Sequence, residues 1–226
     1  MLMLALDTST PQGSVGIGRD GQVLAESVLS VRATHSEVVL PEVDRLLGEC
    51  GIQPADLQAV VVGGGPGSFT GVRIAAALAK GMCHAGRLEL FSFSSLAAVA
   101  VGAGCDGPVC AMFDARRGQV YAAGYRVDEG IEELFPPVAA PVQEVLGDLA
   151  RPPDWCFSGD GVGPSRELIL AAGGRAIEDD RWVPRASSLI WLAAVAPELG
   201  RVPDPGTWEP GYVRLPAAQR GPAGAS

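Results

Sequence analysis

The sequence is short of the residues from which most catalytic and metal sites are built. It has two histidines, His35 and His84. No Ser/His/Asp set and no H-E-x-x-H pattern is visible, which leaves a peptidase without its machinery. The five cysteines, Cys50, Cys83, Cys105, Cys110 and Cys156, form no C-x-x-C pair. An odd, scattered set predicts reduced thiols in a cytosolic compartment. No Gly-Lys-Ser/Thr follows the glycine-rich turn, so the lysine and hydroxyl of a P-loop are missing. Basic residues are in deficit, with 17 Lys and Arg against 26 Asp and Glu, a net charge of −9. Such a chain is a poor match for a phosphate backbone, and direct binding of RNA is not expected. Long apolar runs are absent as well. Leu2 to Leu6 is too short for a signal-peptide core and lacks a basic flank. No stretch has the length to span a bilayer.

What is present is a chain of 226 residues, 47% of them hydrophobic, enough for one large domain or two small ones. The rest is organised around Leu57 to Ala85. Leu57 to Val62 is a Val-rich run suited to a strand buried on both faces. Gly63-Gly64-Gly65-Pro66-Gly67-Ser68-Phe69-Thr70-Gly71 follows. Val72, Ala75, Ala76, Ala79 and Cys83 then recur at helical spacing, with Ser68 or Thr70 available as the cap. A strand, a glycine loop and a helix can present backbone N–H groups to an anion. The same residues equally serve as a tight turn whose small size lets neighbours approach.

Along the chain, Met1 to Leu6 reads as a strand ending at Asp7-Thr8-Ser9. Ser14 to Gly18 alternates as a second strand, and Asp20-Gly21 is a hairpin signal before Gln22 to Leu29. Asp7 is either a strand-tip acid facing a metal or nucleotide phosphate, or the head of an Asx-turn. Thr34 to Cys50 reads as a helix with a capping box at Thr34 and Glu37, an apolar stripe of Val39, Val43, Leu46, Leu47 and Cys50, and Pro41 inside it. Leu88 to Phe93 is a strand, and Ser94-Ser95 caps a short helix to Ala103. From Pro108 the order strand, acid (Asp114), turn, strand, turn, strand comes again, without residue-level identity. Trp155 to Ser158 and the turn Gly159-Asp160-Gly161 follow, then helices over Pro164 to Ala172 and Ser187 to Leu199. The expected division is 1–104, 105–215 and a disordered tail, 216–226.

Several blocks together resemble the TsaB family, also called YeaZ. They are Leu4-Ala5-Leu6-Asp7-Thr8-Ser9, Arg32-x-x-His35-Ser36-Glu37, Gly64 to Ile74, Phe93-Ser94-Ser95-Leu96, Asp114-Ala115-Arg116 to Val120-Tyr121, and Tyr212-Val213-Arg214. The Gly-Pro-Gly-Ser-Phe-Thr-Gly-Val-Arg block is the most specific; the Asp-Thr-Ser and Asp-Ala-Arg pieces are specific only in company. The resemblance implies an α/β protein of the actin-like ATPase (ASKHA, RNase-H-like) fold, with two related subdomains built on mixed sheets. It implies a role in making threonylcarbamoyl-adenosine in tRNAs that read codons beginning with A.

TsaB is similar to the catalytic subunit TsaD, which holds a metal on a His-x-x-x-His helix. The matching positions here read Ser95 and Val99, neither of which can ligate iron or zinc at this spacing. The resemblance therefore implies a non-catalytic scaffold with no metal and no cofactor of its own. Such a protein pairs through N-terminal helices with TsaD, or with a second copy when alone. It supports assembly with TsaE and meets tRNA only through the complex. Expected partner contacts are Arg32, His35, Val38, Val39, Glu42, Phe69, Arg73, Ala76 and Lys80, with Ala75, Ala76 and Ala79 permitting close helix approach. If ATP or ADP sits at the complex interface, Asp7, Ser9, Gly65, Gly67 and Ser68 are the expected contacts. The alternative is an actin-like kinase or ATPase using Asp7, Gly63 to Gly67, Asp114 and Gly159 to Gly161. Neither a catalytic base nor a cationic clamp for it is visible.

Overall fold

The computed structural model describes residues 1–30, 35–149, 154–177, 182–211 and 213. The first half runs β1 (Leu2–Asp7), β2 (Gln12–Arg19), β3 (Gln22–Ser30), α1 (His35–Glu49), β4 (Ala59–Gly63), α2 (Phe69–Gly86), β5 (Glu89–Phe93) and α3 (Ser95–Gly102). The second runs β6 (Pro108–Asp114), β7 (Gln119–Val127), β8 (Ile131–Pro141), α4 (Val142–Asp148), β9 (Cys156–Ser158), α5 (Val162–Ala171) and β10 (Arg175–Ala176). The chain closes with α6 (Ala186–Val195), α7 (Pro197–Gly200) and β11 (Arg201–Val202).

One sheet has the order β11-β5-β4-β1-β2-β3 and the other β10-β9-β6-β7-β8. Apart from β11 the two orders match. In each, three strands form an antiparallel meander, a fourth pairs in parallel with the first of them, and a fifth pairs in parallel with the fourth. The repeat expected from two strand-acid-turn patterns is thus a repeat of topology. The fold is the expected one: two related RNase-H-like halves of the actin-like type, each on a mixed sheet.

Alternation along the strands divides the core. Leu2, Leu4 and Leu6 of β1 and Val60 and Val62 of β4 point to α1 and α2, while Met3, Ala5, Ala59 and Val61 point the other way, to α3 and α6. Val109, Ala111 and Phe113 of β6 join that central layer from the far side, and Cys110 and Met112 face α4 and α5. The layers run α1/α2, sheet, α3/α6, sheet, α4/α5. The hairpin between β2 and β3 turns on Asp20 and Gly21, both at positive φ, 52° and 82°, as an Asp-Gly turn of the primed type requires. Pro41 lies inside α1 without ending it.

The chain leaves the first sheet after α3, where the division near residue 104 was placed. The expectation that 105–215 forms one unit is corrected at its end. α6 packs on β1, β2 and β3, and β11 pairs with β5, so the tail returns to the first half. Gly16 and Gly18 of β2 leave the space that Ala186 and Ile190 fill. The helix expected over Ser187 to Leu199 is broken at Pro197, which starts α7. Tyr212, Arg214 and the tail 216–226 lie outside the described residues, as does the Thr34 cap.

Candidate functional site

The tips of β1 and β4 meet at Asp7, which is fully buried. Its Oδ1 accepts the Ser9 N–H (2.7 Å), an Asx-turn, and its Oδ2 accepts the Ser95 hydroxyl (2.6 Å). Ser95 Oγ in turn accepts the Gly65 N–H at 3.1 Å. Burial raises the Asp7 pKa, and the bonds from Ser9 and Ser95 act against that rise. The glycine loop owes its composition to this knot. A Cβ at Gly63 would overlap the Asp7 carboxylate, and one at Gly71 would overlap the Thr8 carbonyl oxygen.

Several of the loop's donors are already used within the chain. Gly64 N–H donates to Phe93 O (2.8 Å) and Ser68 N–H to Ser9 O (2.6 Å). Ser68 Oγ caps α2 by accepting the Gly71 N–H at 3.3 Å. Of the expected anion contacts, Asp7, Ser9 and Gly65 are buried, Gly67 is half-buried and Ser68 is exposed. The arrangement is that of a packed strand-to-helix turn, so Asp7, Ser9 and Gly65 do not form an open cradle. Ser94 stands at the N-cap of α3 without a side-chain capping bond, and Ser95 serves Asp7 instead.

The second half repeats the design with different exposure. Asp114, at the tip of β6, is exposed, and its Oδ1 accepts the Arg116 N–H (2.7 Å). Asp160 Oδ1 accepts the Asp114 N–H at 2.9 Å. A Cβ at Gly159 would overlap the Met112 carbonyl, as Gly63 would crowd Asp7. The Asp160 carboxyl is pushed up to about 6, chiefly by burial, with the nearby Asp114 charge adding to it. Each acid lies beside the glycine turn of its own half, so the four pieces of the kinase reading fall into two knots.

The expected partner residues divide by helix face. Phe69 and Arg73 are exposed, with the Arg73 guanidinium 3.9 Å from the Phe69 ring centroid. Val38 and Glu42 are half-buried, and Glu42 pairs with Arg45 at 2.6 Å. Val39 (1% exposed) and Ala76 (6%) are buried and do not line an outer surface. Val39 belongs to the α1 stripe that covers its own sheet, and Ala75 and Ala79 likewise face inward. On α2 the small outward residues include Ala77 and Gly81, in a stripe with Phe69, Arg73 and His84. Leu40, 49% exposed on α1, was missed because it lies off the apolar stripe. Arg32 lies outside the described residues; His35 is described only as the first residue of α1.

Lys80 has a local role as well. Its Nζ donates to the Trp208 carbonyl at 2.9 Å, and Gly211 N–H donates to Gly64 O at 3.0 Å. Residues 204–211 therefore run as a strap across the glycine loop. No motif marks this segment, and only the proximity of Trp208 to Gly64 shows what its tryptophan does.

A family model described as TsaD, tRNA N6-adenosine threonylcarbamoyltransferase, matches residues 22–196. The tRNA threonylcarbamoyladenosine biosynthesis protein TsaB of Bacillus subtilis is 34% identical over 230 residues, covering 97% of this chain and 96% of that protein. The protein of the same description from Escherichia coli is 40% identical over 132 residues, 57% of each chain. The solved structure of YeaZ from Pseudomonas aeruginosa superposes with a TM-score of 0.78 at 30% identity, over 93% of this chain and 99% of that one.

Proposed function

The chain belongs to the TsaB (YeaZ) family of tRNA threonylcarbamoyladenosine biosynthesis, and from that premise we propose that it is a cytoplasmic scaffold subunit that makes no bonds itself and holds a TsaD-type transferase in its working arrangement. The proposal rests on what occupies Ser95 and Val99. These stand where the resemblance puts the metal-binding histidines of TsaD. Here the Ser95 hydroxyl is taken by Asp7 and Gly65, and Val99 is fully buried in the apolar central layer. This end of α3 pins the fold and offers no ligand set.

The outer faces of α1 and α2 supply the positive side. Leu40 and Phe69 are large apolar side chains left exposed on α1 and α2, and Ala77 and Gly81 leave room for a second helix. TsaD is the proposed occupant, with a second copy of this chain in its place when TsaD is absent. TsaE and tRNA join through that complex, and this chain needs no cofactor of its own.

Reconstitution tests it. The purified chain is mixed with TsaD from the same organism, mass is followed by light scattering, and tRNA modification is assayed with and without the chain. A mixed complex, and modification that depends on this chain and survives Asp7→Asn, is the expected result. Absence of a complex, together with ATP turnover by this chain alone, would overturn the scaffold and favour the kinase-like reading.

A further inference from the structure

The sequence predicts free thiols, yet Cys105 and Cys156 are joined in a disulfide that closes a separation of 51 residues. Cys105 lies in the segment that carries the chain from α3 to β6, between the two halves, and Cys156 opens β9. Cys50, Cys83 and Cys110 stay free. Arg175 of β10 pairs in register with Cys156. Its Nη2 lies 2.7 Å from Cys156 Sγ and 2.9 Å from Cys105 Sγ. The same nitrogen donates to the Asp106 carbonyl at 3.3 Å, which holds the guanidinium over the bond. Cys156 is fully buried, whereas Cys105 is half-exposed. The two sulfurs line an open pocket of about 540 Å³ with Arg166, Arg175 and Leu170.

We propose that Cys105 and Cys156 are a redox-active pair, and that this pocket admits a small anionic thiol that opens the bond, the disulfide of that thiol re-forming it by the reverse exchange. The incoming thiolate attacks Cys105 Sγ, the half-exposed sulfur. A new S–S bond forms to Cys105, the Cys105–Cys156 bond breaks, and the electron pair leaves on Cys156 as a thiolate. Arg175, 2.7 Å away, is placed to stabilise that charge. A second thiolate attacks the bound thiol's sulfur and releases Cys105 as a thiolate, which takes up a proton. The balance is two thiols oxidised to their disulfide and one protein disulfide reduced to two cysteines. In a reducing compartment such a bond is reversible and senses redox state. Here the oxidised bond ties the connection between the halves to β9.

The test uses the full chain and glutathione, with neutral 2-mercaptoethanol as the contrast. After air oxidation, denaturation and alkylation, mass spectrometry should find three alkylated cysteines, Cys50, Cys83 and Cys110, and five after reduction. Glutathione should then open the bond through a mixed disulfide mapped to Cys105. Arg175→Ala should slow that step by roughly three- to tenfold, more for glutathione than for 2-mercaptoethanol, and Arg175→Lys should restore most of it. Five free thiols after oxidation would overturn the proposal. So would a mixed disulfide on Cys156, or a rate that Arg175→Ala leaves unchanged. Should Arg175→Ala fail to fold, the mapped position of the mixed disulfide in the unmodified chain decides alone.

Discussion

At the residue scale, one hydroxyl does unusual duty. Ser95 donates to the buried Asp7 carboxylate and accepts from Gly65. Ser95→Ala removes both partners at once in a site closed to water. A loss of roughly 2 to 3 kcal/mol is expected, read as a lower midpoint in urea with an unchanged slope. Asp160 carries a prediction in pH. Its folded pKa, about 6, lies above the ordinary carboxylate value, so the folded state keeps a proton that the unfolded state has lost. That contribution is complete at low pH and disappears as pH rises through about 6. Asp160→Asn keeps the acceptor for the Asp114 N–H and removes the charge. It should stabilise the protein by roughly 1 to 2 kcal/mol at pH 8 and by almost nothing at pH 4. A gap that stays constant across that range would contradict the assignment.

At the scale of the element, α2 shows how one residue type has two uses. Gly71 sits where a Cβ would overlap the Thr8 carbonyl oxygen, while Gly81 has nothing within 4 Å. Gly71→Ala should cost roughly 3 kcal/mol, because backbone has to move. Gly81→Ala should gain roughly 0.5 to 1 kcal/mol from helix propensity. Thermal melts of the two variants should therefore move in opposite directions from the parent. The sequence carried α2 itself: its helical spacing and its Ser68 cap are local. Which face would point outward was not legible. Ala76 was assigned to a partner and is buried, Ala75 and Ala79 are turned to the sheet, and Ala77 and Gly81 are on the outside. An alanine-rich helix has too little contrast between its sides for periodicity alone to choose.

For the whole molecule, the exposed pair Phe69 and Arg73 is the sharpest handle on the scaffold. Phe69→Ala combined with Arg73→Glu changes two exposed side chains. It should leave the melting temperature within about 2 °C of the parent and weaken the mixed complex with TsaD at least tenfold by titration. Full affinity in that variant would move the interface elsewhere. The duplicated halves also explain the two acid knots. The same strand order brings the tip of the first strand beside the turn after the fourth, so each half places an acid against a glycine turn. The first has been closed into core, and the second remains at the surface.

The amino-acid order alone determined most of the strands and their alternation, the hairpin at Asp20-Gly21 and the repeated strand-acid-turn pattern. Each of these is written within a few consecutive residues, where helical or strand period and turn chemistry act. Tertiary structure alone decided that Asp7 would be satisfied by a serine 88 residues away, that Cys105 would meet Cys156, and that α6 and β11 would return to the first sheet. Such contacts depend on strand order and layer packing. Those are properties of the assembled core, and no local spacing records them.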